Sequence, residues 1–121
     1  MIRGIRGAVT VSDDTAENIK AATVELLSKM LEVNHLNTED FVTVNFSITT
    51  DIKSATPAKF ARTELGWNTV PMMCYREFEF DGGLNKCIRV LIVTNSDKTQ
   101  KELVHVYLGE AKRLRPDLQI S

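Results

Sequence analysis

The run Cys87-Ile88-Arg89-Val90-Leu91-Ile92-Val93-Thr94 constrains this chain more than any other stretch. It is apolar and β-branched around a single arginine, and such a run reads as a strand buried on both faces of a sheet. Alternation puts Arg89 with Cys87, Leu91 and Val93 on one face, and Ile88, Val90 and Ile92 on the other. A guanidinium cannot lose its proton, and burying it without a partner costs several kcal/mol or more. An anion must therefore meet Arg89, either an internal carboxylate or a bound ligand. Which of the two it is decides the function.

The surrounding pattern supplies the rest of a sheet. Residues 2–11 alternate, with Ile5, Val9 and Val11 on one side and Gly4, Arg6 and Ala8 on the other, which predicts a first strand. Asp14-x-x-Glu17 resembles a capping box opening a long helix. Its apolar stripe (Ile19, Ala22, Thr23, Leu26, Leu27, Met30, Leu31) has the helical period and ends near Asn34-His35. A second strand is expected from Phe41 to Thr49. Thr56-Pro57 reads as an N-cap followed by proline at the first helical position, and Gly66 closes that short helix. Thr69 to Phe80 reads as a third strand, with Pro71 near its start as on an edge. Asp81-Gly82-Gly83 then predicts a hairpin turn into a fourth strand from Lys86 to Asn95. A helical turn is expected around 97–103. Residues 104–114 suit helix or strand equally on propensity, and Arg115-Pro116 ends whichever forms.

One long helix can cover only one face of such a sheet. The other face also carries apolar residues, so in a chain of 121 residues its expected cover is another subunit. The length suits one domain spanning residues 1–121 and is short for an enzyme that builds its whole active site alone. A formal charge of −1 leaves no basic face for nucleic acid. No apolar run approaches the roughly 20 residues of a bilayer span. No apolar stretch follows Met1-Ile2-Arg3-Gly4, so no signal peptide is expected. Cys74 and Cys87 lack paired-motif spacing and read as reduced thiols in a cytoplasm.

The residues able to carry chemistry are Arg6, Arg62 and Arg89, with Cys74 and Glu77 on the third strand and Tyr107 near the end. Taken singly, each has a plain reading: Arg89 pairs with Glu77 across the hairpin, Arg6 and Arg62 are surface charges, and Cys74 is packed. Taken together, several guanidiniums suit convergence on a small dicarboxylate, each offering a two-pronged fork. Cys74 and Glu77 are three apart, so on a regular strand they face opposite sides, and one pocket uses both only across a subunit interface or through a bulge. Neither a phosphate loop nor a metal-ligand spacing is present.

Seven segments carry a resemblance: Ile2-Arg3-Gly4-Ile5-Arg6-Gly7-Ala8, Pro57-Ala58-Lys59, Gly66-Trp67, Val70-Pro71, Lys86-Cys87-Ile88-Arg89-Val90, His105-Val106-Tyr107-Leu108 and Leu114-Arg115-Pro116-Asp117-Leu118. In this order and spacing the sequence closely resembles the AroH-class monofunctional chorismate mutases. The resemblance implies an α+β fold: a mixed five-stranded sheet with one long and one short helix, forming a homotrimer around a barrel-like core. It implies a fifth strand within 104–114, three sites at subunit interfaces, no cofactor, and the rearrangement of chorismate to prephenate on the shikimate route to phenylalanine and tyrosine. It further implies that Arg6 and Tyr107 bind one carboxylate region and that Arg89 reaches a carboxylate and the ether oxygen. Glu77 and Cys74 would meet the ring hydroxyl side. Arg62, Ala58 and Lys59 would come from the adjoining subunit, with Leu114 and Arg115 shaping the pocket. The sequence departs from the family at Thr56, usually phenylalanine, and at Met73, threonine in some members. A trimeric dicarboxylate sensor and an imine-processing protein are the other readings of such an architecture.

Overall fold

In the computed structural model, which describes residues 1–114, β4 (Cys87–Asn95) is the middle strand of the sheet. It pairs antiparallel with β1 (Ile2–Thr10) on one side and with β2 (Phe41–Ile48) on the other. Beyond β1 lies the short parallel strand β5 (Val106–Leu108), and beyond β2 the parallel strand β3 (Met72–Arg76). The order is β3-β2-β4-β1-β5, a mixed five-stranded sheet as expected.

Helices α1 (Ala16–Asn34) and α2 (Pro57–Leu65) cover one face. Ile5 and Val9 of β1, Val44, Phe46 and Ile48 of β2, and Ile88, Val90 and Ile92 of β4 meet Ile19, Leu26, Leu27 and Met30 of α1 in one core. Each fully buried aliphatic or aromatic side chain there contributes about 1.5–3 kcal/mol relative to exposure. The helix stripe read from periodicity is the buried one, and His35 caps α1 in the left-handed region. Pro57 occupies the first turn of α2 and Gly66 its left-handed cap, as the sequence predicts.

Three expectations are corrected. The N-cap of α1 is Thr15, whose Oγ1 accepts the Asn18 N–H at 3.1 Å, rather than Asp14. The Asp14 carboxylate instead accepts the Lys53 and Ser54 N–H groups, tying the approach to α2 to the start of α1, and these bonds hold its pKa below the usual range. The third strand stops at Arg76, and no hairpin joins it to β4. It lies parallel to β2, with β2 between it and β4. Gly82 does adopt the positive φ of a turn, but that turn belongs to a longer excursion from which Phe78 and Phe80 project, exposed. Pro71 does precede an edge strand. Finally, β4 is buried along its helix face, but on the other face only its first residue, Cys87, is. On the opposite face Leu91 is 41% exposed, Tyr75 48% and Met73 58%. An uncovered apolar sheet face of this kind is a surface that another chain can cover.

Residues 104–114 combine both readings: β5, then a 3-10 segment from Gly109 to Arg113. The turn foreseen around 97–103 is a 3-10 turn over Gln100–Glu102.

Candidate active site

The register of the sheet lines up one row of residues on the open face: Tyr107 on β5, Ala8 on β1, Arg89 on β4, Ser47 on β2 and Tyr75 on β3. Adjacent strands lie about 4.8 Å apart, so Tyr107 and Arg89, separated by Ala8 alone, are about 10 Å apart at the backbone. Arg6 is one step along β1 from Ala8 on the same face, opposite Leu91, and is exposed. Its backbone N–H is held at 2.9 Å by His105 Nδ1. Tyr107, 4% exposed, packs with Ala8, Cys87 and Ala111, and Leu114 lies against this cluster.

Glu77 follows β3 directly, its N–H bonded to Ile48 O at 2.8 Å, so β2 carries it across to β4. Its Oε1 lies 2.5 Å from Arg89 Nε. The ion pair anticipated between these residues exists, spanning β2 rather than a hairpin. It is a charge contact rather than an aligned hydrogen bond, since Arg89 Nε and Glu77 Oε2 lack hydrogen-bond partners among the described residues. Burial pushes the Glu77 carboxyl above its ordinary pKa, with the Arg89 charge opposing. The neighbouring Cys87 thiol is pushed up to about 11 by its burial, again against the pull of Arg89.

Arg89 and Glu77 stand in the wall of an open cleft of about 500 Å³, closed on its other sides by Thr49, Thr50, Asp51, Phe78 and Phe80 among others. The Arg89 side chain is 35% exposed, with Glu77 and the Cys87 thiol beside its guanidinium. The cation thus has an internal counter-charge at Nε and a partly exposed side chain facing the cleft.

The remaining predicted residues form a second group. Ala58, Lys59 and Arg62 lie within one turn on α2, where Lys59 Nζ sits 5.7 Å from the Phe60 ring centroid and Arg62 is exposed. Cys74, paired laterally with Phe46 on the helix-covered face, lies beside the Ala58 backbone, and burial raises its thiol pKa. Met73 points to the open face of the edge strand, opposite Asn45. Thr56 caps α2 without a side-chain hydrogen bond. One chain therefore does not bring Cys74, Ala58, Lys59 and Arg62 to the cleft that holds Arg89 and Glu77. Arg115 lies outside the described residues. Sequence reasoning missed Thr49, Asp51 and the exposed Phe78 and Phe80; the first two follow a strand as ordinary turn residues, and nothing local announces their partners.

In this small α+β protein one arginine reaches from the middle of the sheet into a cleft whose other charged lining residues are acidic, while further cations, Lys59 and Arg62, stand on a separate helix. Residues 2–118 match the family model described as chorismate mutase type I. The chain is 46% identical over 121 residues to chorismate mutase AroH of Bacillus subtilis (strain 168), covering 100% of this chain and 95% of that protein. It is 50% identical over 120 residues to chorismate mutase AroH of Thermus thermophilus, covering 98% of each. The solved chorismate mutase from Clostridium thermocellum superposes with a TM-score of 0.88 at 45% identity, covering 91% of this chain and 97% of that one. The chain belongs to the type I chorismate mutase family.

Proposed function

We propose that this protein, acting as one domain per chain, converts chorismate to prephenate in aromatic amino-acid biosynthesis, as a cytoplasmic homotrimer whose sites lie between subunits. The reaction is a unimolecular rearrangement in which one C–O bond breaks as one C–C bond forms. No proton is transferred in the chemical step, so the protein needs neither a base nor a nucleophile. It has two tasks. The first is to hold the enolpyruvyl ether folded over the ring, a task for Arg6, Tyr107 and an adjoining copy's Arg62 acting on the carboxylates. The second is to stabilise the negative charge that grows on the ether oxygen. Arg89 suits it because a guanidinium already fixed by its strand and by Glu77 needs no reorganisation as that charge appears. Glu77 and Cys74 are assigned to the ring hydroxyl, Ala58, Lys59 and Met73 to the adjoining wall, and Leu114 and Arg115 to its closure.

The observation that carries this reading is the placement of Arg89: its Nε lies 2.5 Å from Glu77 Oε1, and its partly exposed side chain stands in the wall of the cleft. The interface location is supported by the separation of the two residue groups and by the uncovered sheet face. A head-to-tail contact of one copy's α2 edge with the next copy's cleft closes into a ring when the rotation permits. The test is to add chorismate to purified protein and follow the loss of its ultraviolet absorbance. Enzymatic turnover is expected; binding without turnover would make the protein a dicarboxylate sensor and overturn the assignment.

A further inference from the structure

The start of β4 is pinned by a loop that also forms part of the cleft wall. Thr49 to Ile52 follows β2, and Asp51 in it accepts the Lys86 N–H with both carboxylate oxygens, at 3.0 Å each. Asp51 Oδ1 also accepts the Thr49 hydroxyl at 2.5 Å, and Thr49 Oγ1 in turn accepts the Cys87 N–H at 2.9 Å. Thr49 N–H donates to Cys87 O at 3.1 Å, closing the set. Lys86 has a φ of 48°, a left-handed conformation that a side-chain-bearing residue keeps only when its surroundings hold it. Two residues beyond this fixed pair of amides comes Arg89. The same loop is gripped from the other side: Arg76 Nη1 donates to the carbonyls of Thr49, Thr50 and Ile52 at 3.3, 3.1 and 2.8 Å. Arg76 immediately precedes Glu77. The segment thus registers the strand end bearing Glu77 against the strand start leading to Arg89.

We infer that Asp51 is a positioning residue for Arg89: through the Lys86 and Cys87 amides it fixes where β4 begins, and so where the guanidinium sits relative to Glu77 and the cleft. The inference rests on the proposed function for its kinetic consequence but not for its geometry. A misplacement of about 1 Å at a catalytic group costs on the order of 10²-fold in rate.

The test compares Asp51→Asn and Asp51→Ala in the full-length protein, by 13C NMR titration of the Glu77 carboxyl and by kcat and KM on chorismate. Both variants remove the same nearby negative charge, which on its own lowers the Glu77 pKa equally in each. Only the asparagine keeps an acceptor for the Lys86 N–H. The expected result is a higher Glu77 pKa in Asp51→Ala than in Asp51→Asn, because Arg89 has moved off its partner. With it goes a kcat about 10²-fold below wild type at little-changed KM in Asp51→Ala, and substantial rescue in Asp51→Asn. A residue that merely stabilises the fold lowers the melting temperature and leaves the Glu77 titration of the folded protein alike in both variants; that result overturns the inference. If the wild type does not turn over chorismate, the proposed function fails and the titration comparison still decides the role of Asp51. Should Asp51→Ala not fold, Thr49→Val against Thr49→Ser asks the same question of the neighbouring hydroxyl. Equal Glu77 titrations in that pair overturn the inference as well.

Discussion

Cys74 and Glu77, three residues apart, face opposite sides of the sheet: Cys74 pairs laterally with Phe46 under the helices, while Glu77 meets Arg89 on the open side. A site using both therefore draws them from different copies, and this gives the interface reading a direct test. Arg89→Ala and Arg62→Ala proteins are each expected to be nearly inactive. Unfolded together and refolded as a mixture, they recover activity, because some interfaces unite an intact Arg89 with an intact Arg62. Random assortment makes about a quarter of the sites wild-type. A mixture no more active than its components would place each site within one chain.

Arg89 carries the electrostatic load in the proposed mechanism. Arg89→Ala is expected to lower kcat by at least about 10²–10³-fold, the cost of losing one oxyanion donor, and by more because a full cation leaves with it. Arg89→Lys also performs poorly, since an ammonium on a flexible stem cannot keep Nε on Glu77 while presenting the other two nitrogens to the substrate. Steady-state kinetics on the two variants, with circular dichroism to verify folding, checks this. Near-normal kcat in either removes Arg89 from its role.

With no general acid or base in the chemical step, kcat is expected to be flat across neutral pH. Glu77 adds a limit on the acid side. Its carboxyl pKa is raised by burial above the ordinary glutamate value of 4.5, and kcat/KM is expected to fall on that side as the acceptor proposed for the ring hydroxyl and the counter-charge of Arg89 are neutralised. The same shift has a sign for stability. A carboxyl with a folded pKa above its unfolded one contributes stability that is fully present below the unfolded value and lost as pH rises through the folded one. Ionised Glu77 thus weighs against folding at neutral pH. Wild type should gain in melting temperature relative to Glu77→Gln as pH drops through the folded pKa; a parallel pair of curves would refute the shift.

How much of this was legible before the structure differs by residue, for physical reasons. The facing of Arg89 followed from alternation alone, because a period-2 pattern leaves no freedom once the run is a strand. The ends of α2 were equally plain, since Pro57 and Gly66 each suit a single position at a helix terminus. The partner of β3 was not. Asp81-Gly82-Gly83 is a sound local turn signal, but which strand an edge strand joins is set by packing against α2 and by the open side of β2, neither of which is encoded locally. The shift of the α1 cap from Asp14 to Thr15 has the same origin: Asp14 is claimed by the amides of Lys53 and Ser54, far along the chain. The Arg89–Glu77 pair was foreseen as one of two options; that the paired arginine still stands in the wall of a cleft required coordinates.

Gly7 ties the stability of the core to the geometry of the site. It lies on the helix face of β1 directly beneath Met30 of α1, between Arg6 and Ala8 on the open face. A Cβ added there would overlap Met30 Sδ and come within 3.0 Å of Met30 Cε and 3.1 Å of Val90 Cγ1. Met30 is fully buried and Val90 nearly so, and neither has open space to retreat into. Gly7→Ala is expected to cost about 1–3 kcal/mol by overpacking. Met30→Ala alone costs about 2–5 kcal/mol through the cavity it leaves. The double variant should be more stable than the sum of the two predicts, since the new methyl occupies part of the vacated space. Urea denaturation of all four proteins measures that coupling, and strict additivity would mean that the strand and helix are not in contact at this point. An outward shift of β1 making room for the methyl would displace Arg6, so Gly7→Ala should also lower kcat and the double variant restore it.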